Sequence, residues 1–427
     1  GYTGSENLPP TTRYGFFPSV GLGWVISNES FFEPLTNVIQ YLKVRGTWGQ
    51  VGNSQISGRR FAYLATVTDS SSTSYTFGKN MDQNYGTTAI DEYAVDVTWE
   101  VADKTDIGVD MRLLNNKLNL QFDYFKESRE GIYLRRSSIP SYVGMINNPY
   151  GNIGKVENKG FELSVNYANS WGGDWSLSLM GNYSFNRNKV LEDDSTVVYP
   201  WQNTIGNKVG QRFGLVALGL FESYGEIAAS PVQTGDTRPG DIKYKDINGD
   251  GKIDEYDKVP IGWGSVPEIM YGFGFSVGWK NLSLTAMFQG AAHVDAMLSG
   301  EGVLPFSQGS SRGNLLSNIT DRWTEENPRQ NAFYPRLSIG NINMNYEEST
   351  WWLKDTDYLR LKNIELSYRL PDHWMKRIHL DNARIFIQGV NLLTFSSFKI
   401  WDVELGDGRG ARYPNIASVS LGVNFNF

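Results

Sequence analysis

The chain has 427 residues, a formal net charge of −7 and no cysteine, and aromatic side chains make up 14% of it. The acidic balance argues against nucleic acid as a partner, because nucleic-acid-binding faces are basic, and the lack of cysteine excludes disulfides and thiolate metal sites. No run of about eighteen apolar residues occurs, which excludes a helical membrane span. We expect no signal peptide either, since Gly1 leads directly into the polar, proline-containing segment from Ser5 to Thr12.

Alternation of apolar and polar residues predicts strands from near the start of the chain. The predicted strands of the first part are Gly15 to Ile26, Tyr41 to Gly49, Asp103 to Leu114, and a return strand carrying Leu118, Leu120, Phe122 and Tyr124. Between Gln50 and Glu100 the alternation fails, which predicts a long loop. Asn115 and Asn116 predict a tight hairpin turn.

The middle of the chain repeats this arrangement of a short turn followed by a long loop. The strands predicted there are Phe161 to Tyr167, Trp175 to Phe185, Ile269 to Trp279, Leu282 to Phe288, Ile364 to Leu370, and Ile385 to Ile387. Gly172-Gly173 and Lys280-Asn281 predict short turns, whereas Arg187 to Pro267 shows no sustained alternation. We also expect a helical turn within Asp372 to Leu380.

The last predicted strand, Asn415 to Phe427, has one apolar face and one face of Ser, Gly and Asn only. Water-facing strands of soluble sandwiches usually carry Lys, Glu and Thr, so the pattern favours a strand between lipid and a wet lumen. A buried edge strand of a soluble barrel is the alternative for this segment. About eleven strands with alternating short and long connections then predict an all-β, antiparallel transmembrane β-barrel.

The predicted number of strands is odd, which indicates that these strands alone do not close a barrel. A bacterial single-chain barrel has an even number of strands with both ends on the periplasmic side. We therefore predict that the strands Gly15 to Ile26 and Asn415 to Phe427 pair with strands outside this sequence. An unpaired strand edge in hydrocarbon would leave many backbone groups without hydrogen bonds.

Six segments spread along the chain resemble the SusC/RagA-like TonB-dependent outer-membrane transporters of Bacteroidetes-type bacteria. They are Arg13 to Trp24, Leu42 to Asn53, Gly240 to Asp254, Arg322 to Pro328, Tyr358 to Pro371, and Val390 to Phe395. The resemblance implies that residues 1–427 form the C-terminal half of a barrel of about twenty-two strands. It further implies an N-terminal plug and TonB contact that this sequence lacks, a SusD-like surface lipoprotein as partner, and a glycan or peptide as cargo.

One segment has the spacing of a calcium-binding loop. Its candidate ligands are Asp246, Asn248, Asp250, Lys252 through its carbonyl, Asp254 and Asp257, with Gly251 at the sharp turn. The twelfth position is Asp rather than Glu, so the segment resembles a dockerin-type loop more than an EF-hand. An Asp- and Gly-rich surface turn without an ion is the alternative. We expect a structural Ca²⁺ in a long outer loop.

No catalytic or cofactor-binding residues can be assigned, and we expect the protein not to be an enzyme. Gly272 and Gly274 fit a strand facing the lumen better than a dinucleotide loop, because no helix follows. The histidines are scattered, namely His293, His373 and His379. Four tryptophans could stack on sugar rings, namely Trp201, Trp263, Trp351 and Trp352. Packing within loops or a girdle at the membrane interface explains their presence equally well.

The function expected from the sequence is active import of an oligomeric nutrient across the outer membrane, energised by TonB. A surface adhesin or assembly barrel without transport is the alternative, and an outer-membrane enzyme ranks third. We expect the long loops after Gly49, Arg187, Val294 and Phe395 to lie on one side and to contact the lid lipoprotein.

Overall fold

The computed structural model describes residues 1–56, 60–79, 83–306, 315–340, 342–377 and 380–426. Eleven strands form one antiparallel sheet in which each strand pairs with its neighbours in sequence. The strands are β1 Ser19–Val25, β2 Ile39–Asn53, β3 Glu100–Leu113, β4 Leu118–Arg135, β5 Tyr150–Trp171, β6 Trp175–Glu192, β7 Ile269–Trp279, β8 Leu282–Ala292, β9 Tyr358–Arg369, β10 Asn382–Ser396 and β11 Ser418–Asn426. The prediction of about eleven strands is confirmed. In the described part of the chain, no helix is long and apolar enough to cross a membrane.

The register places the apolar residues of all eleven strands on one continuous face. Val109 of β3 lies opposite Phe122 of β4, which lies opposite Leu163 of β5. The same face continues to the far edge, where its side chains stay uncovered. Leu22 of β1 is 79% exposed and Leu421 of β11 is 78% exposed. Such a face is suited to lipid, because in water it would be a large aggregation-prone surface.

The short turns all join strands at one end of the sheet. The turn between β3 and β4 has Asn115 and Asn116 at φ values of 58° and 63°, and the turn between β5 and β6 has Gly172 and Gly173 at 57° and 74°. Positive φ at these residues lets connections of four and three residues, respectively, reverse the chain tightly. The predicted turns are confirmed, and the long connections therefore leave the sheet at the opposite end.

Several strands extend further toward the long connections than the alternation predicted. β5 begins at Tyr150 rather than Phe161, and β6 continues to Glu192. The region from Gln50 to Glu100 is not wholly loop, since Thr66–Phe77 pairs with Gln83–Glu92. The predicted helical turn is present as Asp372–Arg377.

The long connections fold into a structure of their own, which we call the loop domain. It comprises the described residues of 193–268, 293–357 and 397–417, which connect β6 to β7, β8 to β9 and β10 to β11. Its short strand pairs are Arg212–Gly214 with Val259–Ile261, Ala217–Leu220 with Ile242–Tyr244, Val232–Gln233 with Lys252–Ile253, and Asp295–Met297 with Leu353–Asp355. Its helical segments are Pro200–Gln202, Tyr224–Ala228, Glu255–Asp257, Ser317–Thr320 and Val403–Leu405.

The largest hydrophobic core of the described chain lies in the loop domain, not in the sheet. All three connections contribute to it, for example Ile242, Trp352 and Phe398. Trp352 is 1% exposed and Tyr334 is fully buried. The prediction that the loops after Arg187, Val294 and Phe395 lie on one side is therefore confirmed.

A smaller core lies at the same end of the sheet, around Leu8, Val97 and Tyr133. The hairpin Tyr2–Gly4 with Tyr14–Phe16 lies beside it in sequence, and the remaining helical turns are Ile26–Asn28, Ser30–Leu35 and Ser141–Val143.

The two outermost strands of the sheet do not meet. β1 and β11 form its opposite edges, and neither has a second partner strand among the described residues. Phe427, which ends the predicted last strand, lies outside those residues. The pairing of β1 with β11 that would contradict our prediction is thus not found.

Candidate functional site

The predicted calcium loop lies within the loop domain, and two short strands, one before it and one inside it, fix its position. Ile242–Tyr244 precedes it, and Lys252–Ile253 pairs in parallel with Val232–Gln233. Ile253 is 2% exposed, so one residue of the loop is anchored in the core. Gly249 and Gly251 have φ values of 76° and 84°, which allow the chain to turn sharply between the candidate ligands.

Three of the candidate ligands fold the loop by bonding to its own backbone. Asp246 Oδ1 accepts from Gly249 N at 2.6 Å, and Asp246 Oδ2 accepts from Gly251 N at 2.9 Å. Asn248 Oδ1 accepts from Asp250 N at 3.0 Å. Asp250 Oδ1 in turn accepts from Lys252 N at 2.9 Å. These oxygens are therefore engaged by backbone N–H groups of the same turn.

Asp257 is wholly buried, and its carboxylate closes the loop. Its Oδ1 accepts from Ile247 N at 2.7 Å, and its Oδ2 accepts from Asp254 N at 2.9 Å. Asp254 accepts from Tyr256 N and caps the helical turn Glu255–Asp257. Within the described chain, no Lys or Arg forms a salt bridge with Asp257. A buried carboxylate without a cationic partner is costly, so a bound cation nearby would stabilise it.

The six candidate ligands occupy one loop, but they are not assembled as a coordination shell. Among the described residues, no three Asp, Glu or His side chains are gathered as a metal site. Asp250 and Lys252 are exposed, whereas Asp246, Asn248 and Asp254 are half-buried. The donor set is all oxygen, which is the chemistry that Ca²⁺ requires.

A buried polar network centred on Asp241 holds the loop domain together beside this loop. Arg336 donates to both carboxylate oxygens of Asp241, each at 2.9 Å, and Asn345 Nδ2 donates to Oδ1 at 2.8 Å. Asn345 Oδ1 accepts from Ile242 N, the first residue of the strand that leads into the loop. Asp241 is 1% exposed. Nothing in the sequence distinguishes Asp241 from the exposed acids near it, so the pattern missed this residue.

A second network joins the loop domain to the barrel wall. Arg360 of β9 is 2% exposed and donates to Asp402 at 2.7 Å and to Glu404 at 3.0 Å. Burial alone would raise the pKa of Asp402, but the hydrogen bond from Arg360 lowers it below its ordinary range. The carboxylate therefore remains ionised and keeps segment 397–417 bound to the sheet.

The other residues considered from sequence do not form a site together. Trp352 is buried in the loop-domain core, with Trp351 packed against it, and Trp201 stacks on Tyr199 at 4.6 Å between ring centroids. Trp263 stacks on His293 at 4.0 Å and remains 42% exposed. His379 lies outside the described residues. Gly272 and Gly274 lie within β7, as expected for the small-residue face of a strand.

A cleft of about 620 Å³ lies where the sheet meets the loop domain. Its wall consists of residues on the face opposite the apolar one, including Arg129 and Asn158, while Lys208 and Phe213 contribute from the loop domain. A cleft of this size could hold part of an oligomer. The cleft is bordered both by the loop domain and by the interior face of the sheet.

The fold and sequence match known proteins along nearly the whole chain. The family described as "TonB dependent receptor-like, beta-barrel" matches residues 1–392. "TonB-dependent receptor P3" of Formosa agariphila is 28% identical over 99% of this chain and 43% of its own length. "TonB-dependent receptor SusC" of Bacteroides thetaiotaomicron is 26% identical over 100% of this chain and 41% of its own length.

A solved structure described as the RagAB peptide transporter superposes on 99% of this chain and 44% of its own, with a TM-score of 0.75 and 21% identity. The likeness shows a shared fold. The chain thus spans less than half the length of each of these relatives.

Proposed function

This chain belongs to the TonB-dependent receptor-like β-barrel family of the outer membrane, and we propose that it acts in the import of an oligomeric nutrient. We infer that its sheet is the C-terminal portion of a SusC/RagA-like barrel, an inference supported by its spanning less than half the length of SusC. The observation that carries the proposal is the placement of the loop domain. Long connections of one wall of the barrel share one core at the end where ligands enter from outside.

The interior of the barrel wall supports passage of a polar cargo. Its lining face carries residues such as Asn119, Gln121 and Asn166, which border a further cleft of about 270 Å³. Polar lumens of this kind solvate hydrophilic solutes while the other face meets lipid. The 620 Å³ cleft lies farther along the same strands, next to the loop domain.

We further propose that a SusD-like surface lipoprotein covers the loop domain and that TonB supplies the energy through the plug. Both proposals rest on family membership. The cargo is a glycan or a peptide. RagAB is described as a peptide transporter and SusC as a TonB-dependent receptor, and those descriptions belong to those proteins.

Import can be tested in cells that lack the gene and in the same cells complemented with it. We expect uptake of either fluorescent oligosaccharides or fluorescent oligopeptides to require the gene, and a protonophore to abolish that uptake. A surface lipoprotein should copurify with the full-length protein. Unchanged uptake combined with lost attachment of cells to a surface would instead favour the adhesin alternative.

We also propose that the loop from Asp246 to Asp257 binds one structural Ca²⁺. The all-oxygen donor set, the spacing of the ligands and the buried carboxylate of Asp257, which has no salt bridge within the described chain, support this. Bound Ca²⁺ would supply positive charge that holds the acidic loop in one conformation. Asp246, Asn248, Asp250, the Lys252 carbonyl, Asp254 and Asp257 would hold it.

A further inference from the structure

Three cations stand side by side on the outward, apolar face of the sheet. Lys126 of β4 lies directly opposite Lys159 of β5, which lies directly opposite Arg187 of β6. Their side chains are 50%, 58% and 49% exposed. Two residues closer to the short turns, the same three strands carry Tyr124, Phe161 and Phe185 in one row.

Like charges directly opposite each other on neighbouring strands destabilise a sheet. The row of Lys126, Lys159 and Arg187 contains no carboxylate to offset them. Glu157, which contacts Lys126 at 2.8 Å and Lys159 at 3.6 Å, stands one row farther from the short turns. Arg187 pairs with Glu268, which also binds Lys208 at 3.3 Å. Two carboxylates therefore serve four cations, of which Lys126, Lys159 and Arg187 lie on the outward face of the sheet.

The aromatic residues of β6 locate this row relative to the membrane. Trp175 lies opposite Trp171 and Trp279 near the short turns, and Phe185 lies ten residues farther along the strand. Ten residues span about 34 Å along a strand. A tilt of about 40° reduces this to roughly 26 Å of height, which matches the apolar band of about 25 Å between two aromatic girdles. The cation row thus lies just beyond the outer girdle, at the level of lipid headgroups.

We propose that Lys126, Lys159 and Arg187 form a binding site for the phosphate groups of the glycolipid in the outer leaflet. A phosphate carries up to two negative charges and several acceptor oxygens, so it can bridge adjacent cations that the sheet alone leaves in repulsion. The aromatic row beneath would contact the acyl chains of the same lipid. Glu157 holds Lys126 and Lys159 over this position from the far side. The proposal rests on the outer-membrane location and not on the import activity.

The test compares full-length protein with the Lys126→Gln/Lys159→Gln variant after reconstitution into phosphatidylcholine nanodiscs that contain lipid A. Lipid that stays bound after release from the disc is quantified by native mass spectrometry. The matched control is Lys117→Gln/Lys280→Gln, which removes two exposed lysines beside the short turns at the other membrane surface. A second arm uses lipid A stripped of its phosphates by phosphatase, and a third adds inorganic phosphate as a competitor.

We expect the Lys126→Gln/Lys159→Gln variant to retain about thirtyfold less lipid A, the factor that two lysines near an anionic lipid surface contribute. The control should retain as much as the unaltered protein, and dephosphorylated lipid A should be lost from all three. Equal retention by both variants would overturn the site. Complete displacement by inorganic phosphate, or equal binding of dephosphorylated lipid, would overturn a lipid phosphate as its ligand. Heat-dependent gel mobility checks that each variant is a folded barrel.

Discussion

The buried carboxylate of Asp241 joins two of the long connections of the loop domain. It accepts hydrogen bonds from Nε and Nη2 of Arg336 and from the side-chain amide of Asn345. Asp241 is only 1% exposed. Removing one partner of a buried ion pair costs about 3–5 kcal/mol, because the other charge remains buried. We expect Asp241→Ala to unfold the loop domain at temperatures where the barrel persists, which limited proteolysis and heat-dependent gel mobility measure separately.

Asp236 provides the control in the same segment. It pairs with Arg238, but both side chains are about half exposed, at 44% and 52%. Exposed ion pairs contribute little to stability, because water screens them and two flexible side chains must be ordered. Asp236→Ala should therefore leave the protease resistance of the loop domain unchanged. Equal loss of resistance in both variants would show that burial of Asp241 is not the cause.

The calcium loop gives a second prediction for individual residues. Replacing Asp246 and Asp250 with Ala removes two side-chain ligands, so we expect loss of the bound ion and faster proteolysis within 246–257. The barrel should stay folded, because its backbone hydrogen bonds lie elsewhere. Equilibrium dialysis with radioactive calcium measures the stoichiometry. Glu255→Ala is the control, since Glu255 lies in the same segment at a position without a ligand role and its side chain is 78% exposed.

The sequence predicts the role of a residue when its partners lie close to it in the chain, and not when they lie far away. The spacing of Asp246, Asn248 and Asp250 is a local pattern, and the structure places them together in one turn. Asp241 and Arg336 are 95 residues apart, and their contact exists only because two long connections pack together. No periodicity within either segment indicates such a partner.

The strands were predictable where they face lipid and less so beyond it. Along β6 the alternation from Trp175 to Phe185 is imposed by an apolar environment on one side. Above the membrane both faces of a strand meet water, so Tyr150 to Lys159 of β5 carries charges on the outward face and loses the pattern. The loop-domain strands of two to four residues are too short to show a period at all.

The long and short connections leave opposite ends of the sheet, and this arrangement predicts which of them a protease can reach from outside the cell. Surface proteolysis of intact cells should cut within the long connections and spare the turns at Asn115-Asn116 and Lys280-Asn281. The reason is that the turns join strands at the end opposite the loop domain, which would face the periplasm. Peptide mapping by mass spectrometry identifies the cut sites. Cleavage at the short turns of intact cells would invert the topology.

At the scale of the molecule, the open sheet has two edges that need partners. β1 and β11 lie at opposite edges, and each presents backbone groups that no strand among the described residues pairs. In hydrocarbon each unpaired group costs several kcal/mol. We expect residues 1–427 expressed alone to yield no barrel with heat-dependent gel mobility, whereas the full-length protein does. A compact, heat-modifiable species from the short chain would show that β1 and β11 can pair with each other.

The loop domain and the sheet are stabilised in different solvents, the loop domain in water and the sheet in lipid. The loop domain shields the side chains of Trp323 and Trp352 from water. Its stability therefore depends on the hydrophobic effect, which urea weakens. The sheet is held by backbone hydrogen bonds in lipid, where urea does not enter. In membranes, urea should therefore shift the tryptophan emission at concentrations that leave the β-sheet circular dichroism unchanged. A single concentration for both changes would mean one cooperative unit, whereas two concentrations would mean that the loop domain unfolds independently of the sheet, so that one chain holds two units with different driving forces.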